Sequence, residues 1–385
     1  VDEPLRIGVI GVGAVALRGI LPHLSQEDVK ERVRLEALCD PVLQRAEAAA
    51  AHYGVPHAFA HVDELLAEAE IDAVTVASPI PLHFEHCSAA LRAGKHVHVN
   101  KTMTTAVDEA DELIALAEEH DLRIVASPGE VLFPRVARTR ELIEGGLIGE
   151  LSWVLCGSAF GEYHEEEPER REAPGGAPID PAWYFRGPGG GPMYDMTVYA
   201  LHQLTSVLGH AQAVVALSGI RVRQREFLGT NISTGADDNT ILLVDFGDSL
   251  FAVAYGTAAG THSKQFPPIV YFGTQGTIDG ALLNNEPFDF PGADLSAGAA
   301  VSRSANLRAL PHVVGTHADI DESHVFEDIM QLVDWVLDGT PTPVTAEHAR
   351  HVIDIIASGY RSARTGTRQQ LTTSFELAPL AVLQS

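Results

Sequence analysis

Leu5-Arg6-Ile7-Gly8-Val9-Ile10-Gly11-Val12-Gly13-Ala14-Val15-Ala16 is the stretch on which the fold of this chain turns. Its first half is a short β-branched run that reads as a strand, and its second half opens a helix. Gly11, Gly13 and Ala16 stand at the spacing G-x-G-x-x-G/A. The first Gly permits a tight turn, the second lets a pyrophosphate approach the backbone, and the small third residue lets helix pack on strand. N–H groups left free at the helix start, around Ala14 and Val15, then receive the anion.

Outward from this fingerprint, strand and helix candidates alternate strictly. Strands are expected at 5–10, 33–39, 73–77, 96–99 and 123–125, and helices at 41–52, 81–93 and 107–120. Gly94 is a natural stop for the second of these helices. The alternation is that of a doubly wound parallel sheet. From about residue 134 the rhythm changes. One helix over 134–144 is followed by segments that alternate like antiparallel strands: 151–160, 213–227, 240–246 and 250–257. The last two are joined by Gly247-Asp248-Ser249 as a hairpin turn. Loops are read at 161–181 and 282–319, and helices at 323–337 and 346–364 close the chain. The expected division is a dinucleotide-binding domain over 1–128 and an α+β domain over 129–385.

The bulk numbers agree. A chain of 385 residues is too long for one ordinary core. It is 45% apolar and 20% charged, ordinary for a globular protein, with 26 basic against 52 acidic residues for a net charge of −26. Such a surface repels nucleic acid and anionic lipid, so neither is an expected partner. No apolar run reaches about 18 residues, so no transmembrane helix is expected. The three cysteines, Cys39, Cys87 and Cys156, form no CxxC pair, which suits a reducing compartment. Val1-Asp2-Glu3-Pro4 lacks the layout of a signal peptide, and a cytoplasmic location is expected.

Four features fall at strand carboxyl ends, which border the ligand crevice of an open α/β sheet. Asp40 ends the second strand, where an acid accepts hydrogen bonds from a ribose diol. It lies 29 residues beyond Gly11, later than the usual ~20. An acid here disfavours a 2′-phosphate, so NAD is preferred, with NADP as the alternative. Asp40 is equally suited to cap the helix that begins at Pro41. Ser78-Pro79, Asn100-Lys101 and Ser127-Pro128 follow later strands. Lys101 has a stem long enough to reach a substrate hydroxyl and belongs to the residue type whose proton affinity burial tunes for proton transfer.

A second constellation is Gly189-Gly190-Gly191-Pro192-Met193-Tyr194-Asp195. The glycines would let backbone approach a ligand, and a helix begins near Asp195. Asp195, Tyr199 and His202 then stand at i, i+4 and i+7 on one helical face, where carboxylate, phenol and imidazole can hold and relay a proton. The packing alternative is an Asp at the helix N-terminus with half-buried Tyr and His. Upstream, Trp183-Tyr184-Phe185-Arg186 could line a polyol site or anchor the preceding loop. The run His164-Glu165-Glu166-Glu167 lacks ligand spacing, so no metal site is read.

These residues resemble the Gfo/Idh/MocA oxidoreductase family over nearly the whole chain. The resemblance rests on the fingerprint, on Cys39-Asp40-Pro41 with Arg45-Ala46, and on Ala93-Gly94-Lys95-His96-Val97 before Asn100-Lys101. It continues through Gly190-Gly191-Pro192 with Asp195 four residues before Tyr199, and through Ser362-Ala363 with Thr365-Gly366. It implies a Rossmann domain, an α+β domain with a large, mostly antiparallel sheet, and NAD- or NADP-dependent oxidation or reduction of sugars, inositols and related polyols. The family's Glu-Lys-Pro places its catalytic Lys at Lys101, and its Asp and following His fall at Asp195 and Tyr199. Members similar to glucose–fructose oxidoreductase and dimeric dihydrodiol dehydrogenase carry Tyr there as the acid–base group.

Asn100 replaces the family Glu and Thr102 the Pro. The family's Lys-Pro bond is often cis, and a cis Lys-Thr bond would cost about 2.5–4 kcal/mol, so Lys101 is expected to sit differently. His202 stands where many members have an Asp. The expected catalytic group is Lys101, Asp195 and Tyr199. Cofactor binding is expected from Gly11, Gly13, Ala14, Val15, Asp40, Ser78, Pro79, His83, Asn100 and Lys101. Substrate binding is expected from Lys101, Trp183, Tyr184, Arg186, Asp195, Tyr199 and His202. The resemblance leaves two alternatives, a redox-neutral glycosidase or lyase that retains its dinucleotide, and a non-catalytic sensor. It also implies a homodimer or homotetramer through the second-domain sheet.

Overall fold

The computed structural model describes residues 3–159, 179–227, 229–260, 269–293 and 309–383. The run 164–167, most of 161–181 and the middle of 282–319 lie outside them. Two compact units divide the chain. One holds Val1–Pro128, Glu167–Pro181 and Pro311–Ala346; the other holds Gly129–Glu166, Ala182–Leu310 and Glu347–Ser385.

The first unit is a six-stranded, all-parallel sheet of β1 (Leu5–Ile10), β2 (Val33–Cys39), β3 (His57–Phe59), β4 (Ala73–Val76), β5 (His96–Val99) and β6 (Ile124–Ala126). Its order is β3-β2-β1-β4-β5-β6, the doubly wound arrangement. β1, β2 and β5 have the expected limits, while β4 and β6 differ by one residue. β3 has no apolar run to announce it: three residues, none fully buried. Between the strands run a π-helical segment Ala16–Ile20 leading into α1 (Leu21–Leu24), then α2 (Leu43–Tyr53), α3 (Val62–Glu68), α4 (His83–Arg92) and α5 (Val107–Glu119). α4 stops as expected at Gly94, whose φ is +74°. There the Lys95 N–H donates to the Ala90 carbonyl at 3.0 Å, closing the last turn.

The register of this sheet places the site. Ile10 is level with Cys39 and Val76, Val76 with Val99, and Val99 with Ala126. Five strands therefore end in one row, and the next residues, Gly11, Asp40, Ala77, Asn100 and Ser127, form one edge. Each donates its N–H to a carbonyl at the end of a neighbouring strand, at 2.8–3.1 Å. Between β1 and β4 the winding reverses, and the fingerprint lies at that switch point.

The second unit opens with α6 (Pro134–Glu144) and β7 (Leu151–Ala159), and continues after a π-helical turn Met193–Thr197 into α7 (Val198–Leu208). β8 (Ala213–Gly219), β9 (Gln224–Phe227), β10 (Thr230–Ser233), β11 (Asn239–Gly247), β12 (Leu250–Thr257), β13 (Ile269–Gly273), β14 (Thr277–Asp279), β15 (Leu282–Leu283) and β16 (Glu286–Pro287) follow. With the closing β17 (Gln369–Gln370), nine strands form one sheet in the order β16-β15-β14-β13-β7-β12-β11-β8-β17. All its pairs are antiparallel except β7 with β12. The single strand expected over 213–227 is two: β8 stays in the large sheet, and β9 leaves it to pair with β10. β11 and β12 form the expected hairpin, with Asp248 and Ser249 at φ 49° and 63° supplying the positive-φ pair of a type I′ turn.

The expectation of one continuous second domain from 129 to the end is corrected by α8 (Ser323–Leu337), which belongs to the first unit. Val325, Phe326, Ile329, Met330, Leu332 and Val333 are buried there, against β5, β6 and the first helix. Ser127 Oγ, at the end of β6, donates to Asp328 Oδ2 at 2.5 Å, and His98 Nε2 lies 3.0 Å from the same hydroxyl. An amphipathic helix carries no mark of which sheet it will cover. α9 (Ala346–Thr365) then closes the second unit.

Candidate functional site

In the first unit, Gly11 has φ +98°, and a Cβ there would meet the Ser78 nitrogen at 2.6 Å and the Ala77 carbonyl carbon at 2.7 Å. Only glycine lets the turn after β1 lie this close to the turn after β4. Around Gly13 nothing lies within 4 Å of the position a Cβ would take, so its side of the turn is open. A phosphate-sized group fits there against bare backbone, and the residues suit the dinucleotide that the fingerprint implies. The helix behind the turn is π-helical over Ala16–Ile20, a form that is rare and frequent at functional positions.

Asp40 does more for the fold than the sequence reading assigned to it. Its carboxylate accepts from the Val12 N–H (3.0 Å), the Val42 N–H (2.9 Å) and Arg45 Nη1 (3.0 and 3.2 Å). It does not cap the helix, which starts at Leu43 with Val42 before it. Instead it ties the fingerprint turn, the entry to α2 and a buried Arg45 into one network. Arg45, quoted in the sequence only as part of the resemblance, is the partner that spacing could not reveal.

At the same edge Asn100 is buried and its Oδ1 accepts the Lys101 N–H at 2.9 Å. The Lys101–Thr102 peptide is cis, although Thr stands where the family has Pro. Ser78 and Pro79 are half-buried, and Ser78 Oγ lies 2.9 Å from His86 Nδ1. His83, expected to touch a cofactor, is 1% exposed. Its Nδ1 faces the Thr102 carbonyl at 2.8 Å and its Nε2 the Ser78 carbonyl at 2.7 Å. Burial pushes the ring down to about 4, against the raising effect of both carbonyls. A neutral ring has one N–H and donates to one of the two. All three cysteines are buried and unpaired with one another, and burial pushes Cys39 and Cys156 up to about 12.

In the second unit, Asp195 and Tyr199 lie on the π-helical turn and the first turn of α7, Asp195 buried and Tyr199 half-buried. The π turn winds more loosely than an α-helix, so the expected stripe does not run straight. His202 is 3% exposed, and its ring centroid lies 4.7 Å from that of His348 on α9. It faces the interior, and burial pushes it down to about 3.

The turn is fixed by close packing. A Cβ on Gly256 of β12 would meet Met193 Sδ and Thr197 Oγ1, both at 2.5 Å, and Ser158 Oγ lies 2.8 Å from Thr197 Oγ1. The glycine loop serves the protein before any ligand. Gly190 packs on the carbonyls of Tyr184 and Arg186, and Gly191, at φ +88°, would place a Cβ 2.6 Å from the Asp237 carbonyl oxygen. Tyr184 and Phe185 are core, 1% and 2% exposed, which corrects the expectation of Tyr184 as a substrate contact. Trp183 is half-buried against that core, and Arg186 is exposed.

Comparison with known proteins agrees with this geometry. Residues 5–127 match the oxidoreductase family with an NAD-binding Rossmann fold, and residues 136–279 match the GFO/IDH/MocA C-terminal domain. The chain is 24% identical over 372 residues to scyllo-inositol 2-dehydrogenase (NADP(+)) IolW of Bacillus subtilis (strain 168), covering 94% of each. It is 27% identical over 241 residues to D-glucoside 3-dehydrogenase of Escherichia coli (strain K12), covering 61% of each. An oxidoreductase from Thermotoga maritima has the same fold, with a TM-score of 0.74 at 19% identity over 99% of both chains.

Proposed function

This chain belongs to the Gfo/Idh/MocA oxidoreductases, and on that premise we propose that it oxidises or reduces a hydroxyl-bearing carbon of a sugar, glycoside or related polyol. It is an NAD(P)-dependent dehydrogenase acting on CH–OH. A nicotinamide dinucleotide, when bound at the fingerprint, supplies the hydride donor or acceptor. Gly11, Gly13, Ala14 and Val15 offer backbone to its phosphates, and Ser78, Pro79 and Asn100 line the same edge. Tyr199 takes up or returns the hydroxyl proton, the Lys101 ammonium stabilises the developing alkoxide, and Asp195 orients the phenol. Trp183 and Arg186 are the substrate contacts retained from the aromatic run.

The observation that carries this reading is the register that delivers fingerprint, Asp40 and Lys101 to one edge of one sheet. The names of two relatives support the substrate class, since scyllo-inositol and a D-glucoside are both polyhydroxylated rings. We assign NAD in preference to NADP on Asp40. Because Arg45 pairs with that acid, the repulsion of a 2′-phosphate is weakened and the preference is modest, about tenfold or ~1.4 kcal/mol.

The outer face of the nine-stranded sheet supports a homo-oligomer. Its exposed residues include Trp153, Val215, Leu217, Ile241, Leu243 and Phe251, with Leu217 75% exposed. An exposed apolar sheet face is a reason to expect association. The buried, unpaired thiols suit the cytoplasm.

The test is to mix the protein with NAD and, separately, NADP across sugars, glycosides and inositols, following absorbance of the reduced nicotinamide. Reduction on a polyol identifies the substrate. Consumption of a glycoside without net reduction would replace this reading with the redox-neutral one, and no turnover on any member would remove it.

A further inference from the structure

Within the first unit, the helix that follows the fingerprint meets the segment leading into α8 through two imidazole rings and one phenyl ring. His23 of α1 and His317 of the short 3₁₀ turn Gly315–Asp319 are both buried, and Nδ1 of one lies 2.7 Å from Nδ1 of the other. Their centroids are 5.0 Å apart and their planes differ by 8°. Phe326 of α8 lies parallel to both, its centroid 4.6 Å from His23 and 4.2 Å from His317. These near-equal separations set the two imidazoles edge to edge on one side of the phenyl ring. Their outer nitrogens are engaged as well. His23 Nε2 lies 3.0 Å from the Asp321 carbonyl oxygen, and His317 Nε2 lies 3.2 Å from Oδ1 of the exposed Asp28. Beside them Arg18 pairs with Glu322, and His324 Nε2 lies 3.8 Å from Glu322 Oε2.

The partners fix the number of ring protons. A carbonyl and an ionised carboxylate only accept, so each outer nitrogen must donate, and the contact between the rings needs one N–H facing one lone pair. That requires three ring N–H groups, whereas two neutral imidazoles have two. Two imidazoliums would have four and would set N–H against N–H. One imidazole beside one imidazolium satisfies every contact. Phe326 favours the same charge, because an aromatic face attracts a cation within about 6 Å of its centroid. Burial and the charge of His317 push His23 down to about 4, which leaves the extra proton on His317, beside Asp28. Of the other charges near the pair, Glu322 favours a proton there and His324 opposes it.

We propose that His23 and His317 hold one buried positive charge between them, and that its proton is a pH-sensitive latch fastening the segment 315–322 to the helix that follows the fingerprint. With the proton in place, all four ring nitrogens have partners. When it leaves as pH rises, His317 keeps one N–H for two acceptors, and either the ring–ring contact or the Asp28 contact must open. In acid, a second proton on His23 opens the ring–ring contact, so the latch is closed between these two limits. Gly19 lets the segments come this close: a Cβ on it would collide with Glu322 Cβ and lie 2.9 Å from the Asp321 carbonyl oxygen.

Labelling the protein with ring-¹⁵N histidine reads the proton directly. Long-range ¹H–¹⁵N spectra at about pH 7 are expected to show His317 as an imidazolium and His23 as a neutral ring protonated at Nε2, the two assigned by the signals missing from His317→Gln. Should that variant not fold, the ¹⁵N–¹⁵N coupling across the shared hydrogen identifies both rings in the parent. Two neutral rings, or two imidazoliums, would overturn the shared charge. Raising the pH to about 10 is expected to turn His317 neutral, and amide exchange over 315–322 to lose about tenfold in protection across the same range. Because His312 also titrates, at about 9, the exchange is measured in His312→Asn as well as in the parent. A His317 charge that persists at the alkaline limit, or protection that is unchanged once the charge is gone, would overturn the latch.

Discussion

Val12 and Asp40 are joined by a buried hydrogen bond, the Val12 N–H donating to Asp40 Oδ2 at 3.0 Å. The acid at the end of β2 thus holds the fingerprint turn at the end of β1. One carboxylate ties the fold together and is also the one proposed to meet the ribose, and separating the two roles is the first experiment it invites.

Asp40→Ala leaves two backbone N–H groups and a buried Arg45 without their acceptor. Breaking such a network costs about 3 kcal/mol, and urea titration is expected to show a loss of that order. Because the turn is released, NAD affinity measured by fluorescence quenching should also drop, by about tenfold. An Asp40→Ala protein with parental stability would mean that these bonds contribute nothing net.

Tyr199→Phe removes the group proposed to carry the hydroxyl proton, Lys101→Met the ammonium proposed to stabilise the alkoxide, and both leave the fingerprint intact. Loss of a general acid–base group lowers turnover by about 10²–10⁴-fold and loss of a group that stabilises the developing charge by about 10²–10³-fold, while the dissociation constant for NAD should stay within about threefold. Near-parental turnover in both variants would dismiss the assigned roles.

Leu217→Asp with Leu243→Asp places two charges on the exposed face of β8 and β11. Light scattering after size-exclusion chromatography is expected to report a smaller species than the parent. A parent already monomeric at micromolar concentration would leave that face without the partner proposed for it.

His312 makes stability depend on pH in the alkaline range. Burial alone would lower the ring, but hydrogen bonds that its N–H groups donate to Asp334 and Glu327, at 3.2 and 2.9 Å, raise it to about 9. The folded value lies above the unfolded one of about 6.5. The contribution is therefore complete below pH ~6.5 and is lost as pH rises through about 9. Urea midpoints between pH 6 and 10 should fall more steeply for the parent than for His312→Asn. Parallel curves would show that the ring is not the group responsible.

Much of the first unit is written locally. β1, β2 and β5 are short runs between turn signals, Gly94 ends α4 by its positive φ, and the fingerprint names the turn it makes. Hairpin residues 247–249 are legible for the same reason. β3 is not: three partly exposed residues carry no pattern, and the strand exists because β2 offers it an edge. The strand expected over 213–227 breaks where the chain changes sheets, which no alternation of apolar and polar residues records.

Among the proposed site residues, Gly11, Asp40, Lys101, Asp195 and Tyr199 could be named from the sequence because motif and spacing fix their place on an element. What each side chain touches could not. Tyr184 and His202, expected to touch substrate, are interior, His83 is buried, and Arg45 emerges as the partner of Asp40. The sequence alone determined the alternation of strand and helix, the dinucleotide turn and the residue types near it, since these depend on neighbours within a few positions. Only the tertiary structure decided that α8 returns to the first sheet, where Ser127 meets Asp328, and that Glu322 comes to Arg18, because those contacts join residues 201 and 304 positions apart and burial, not local propensity, chooses them.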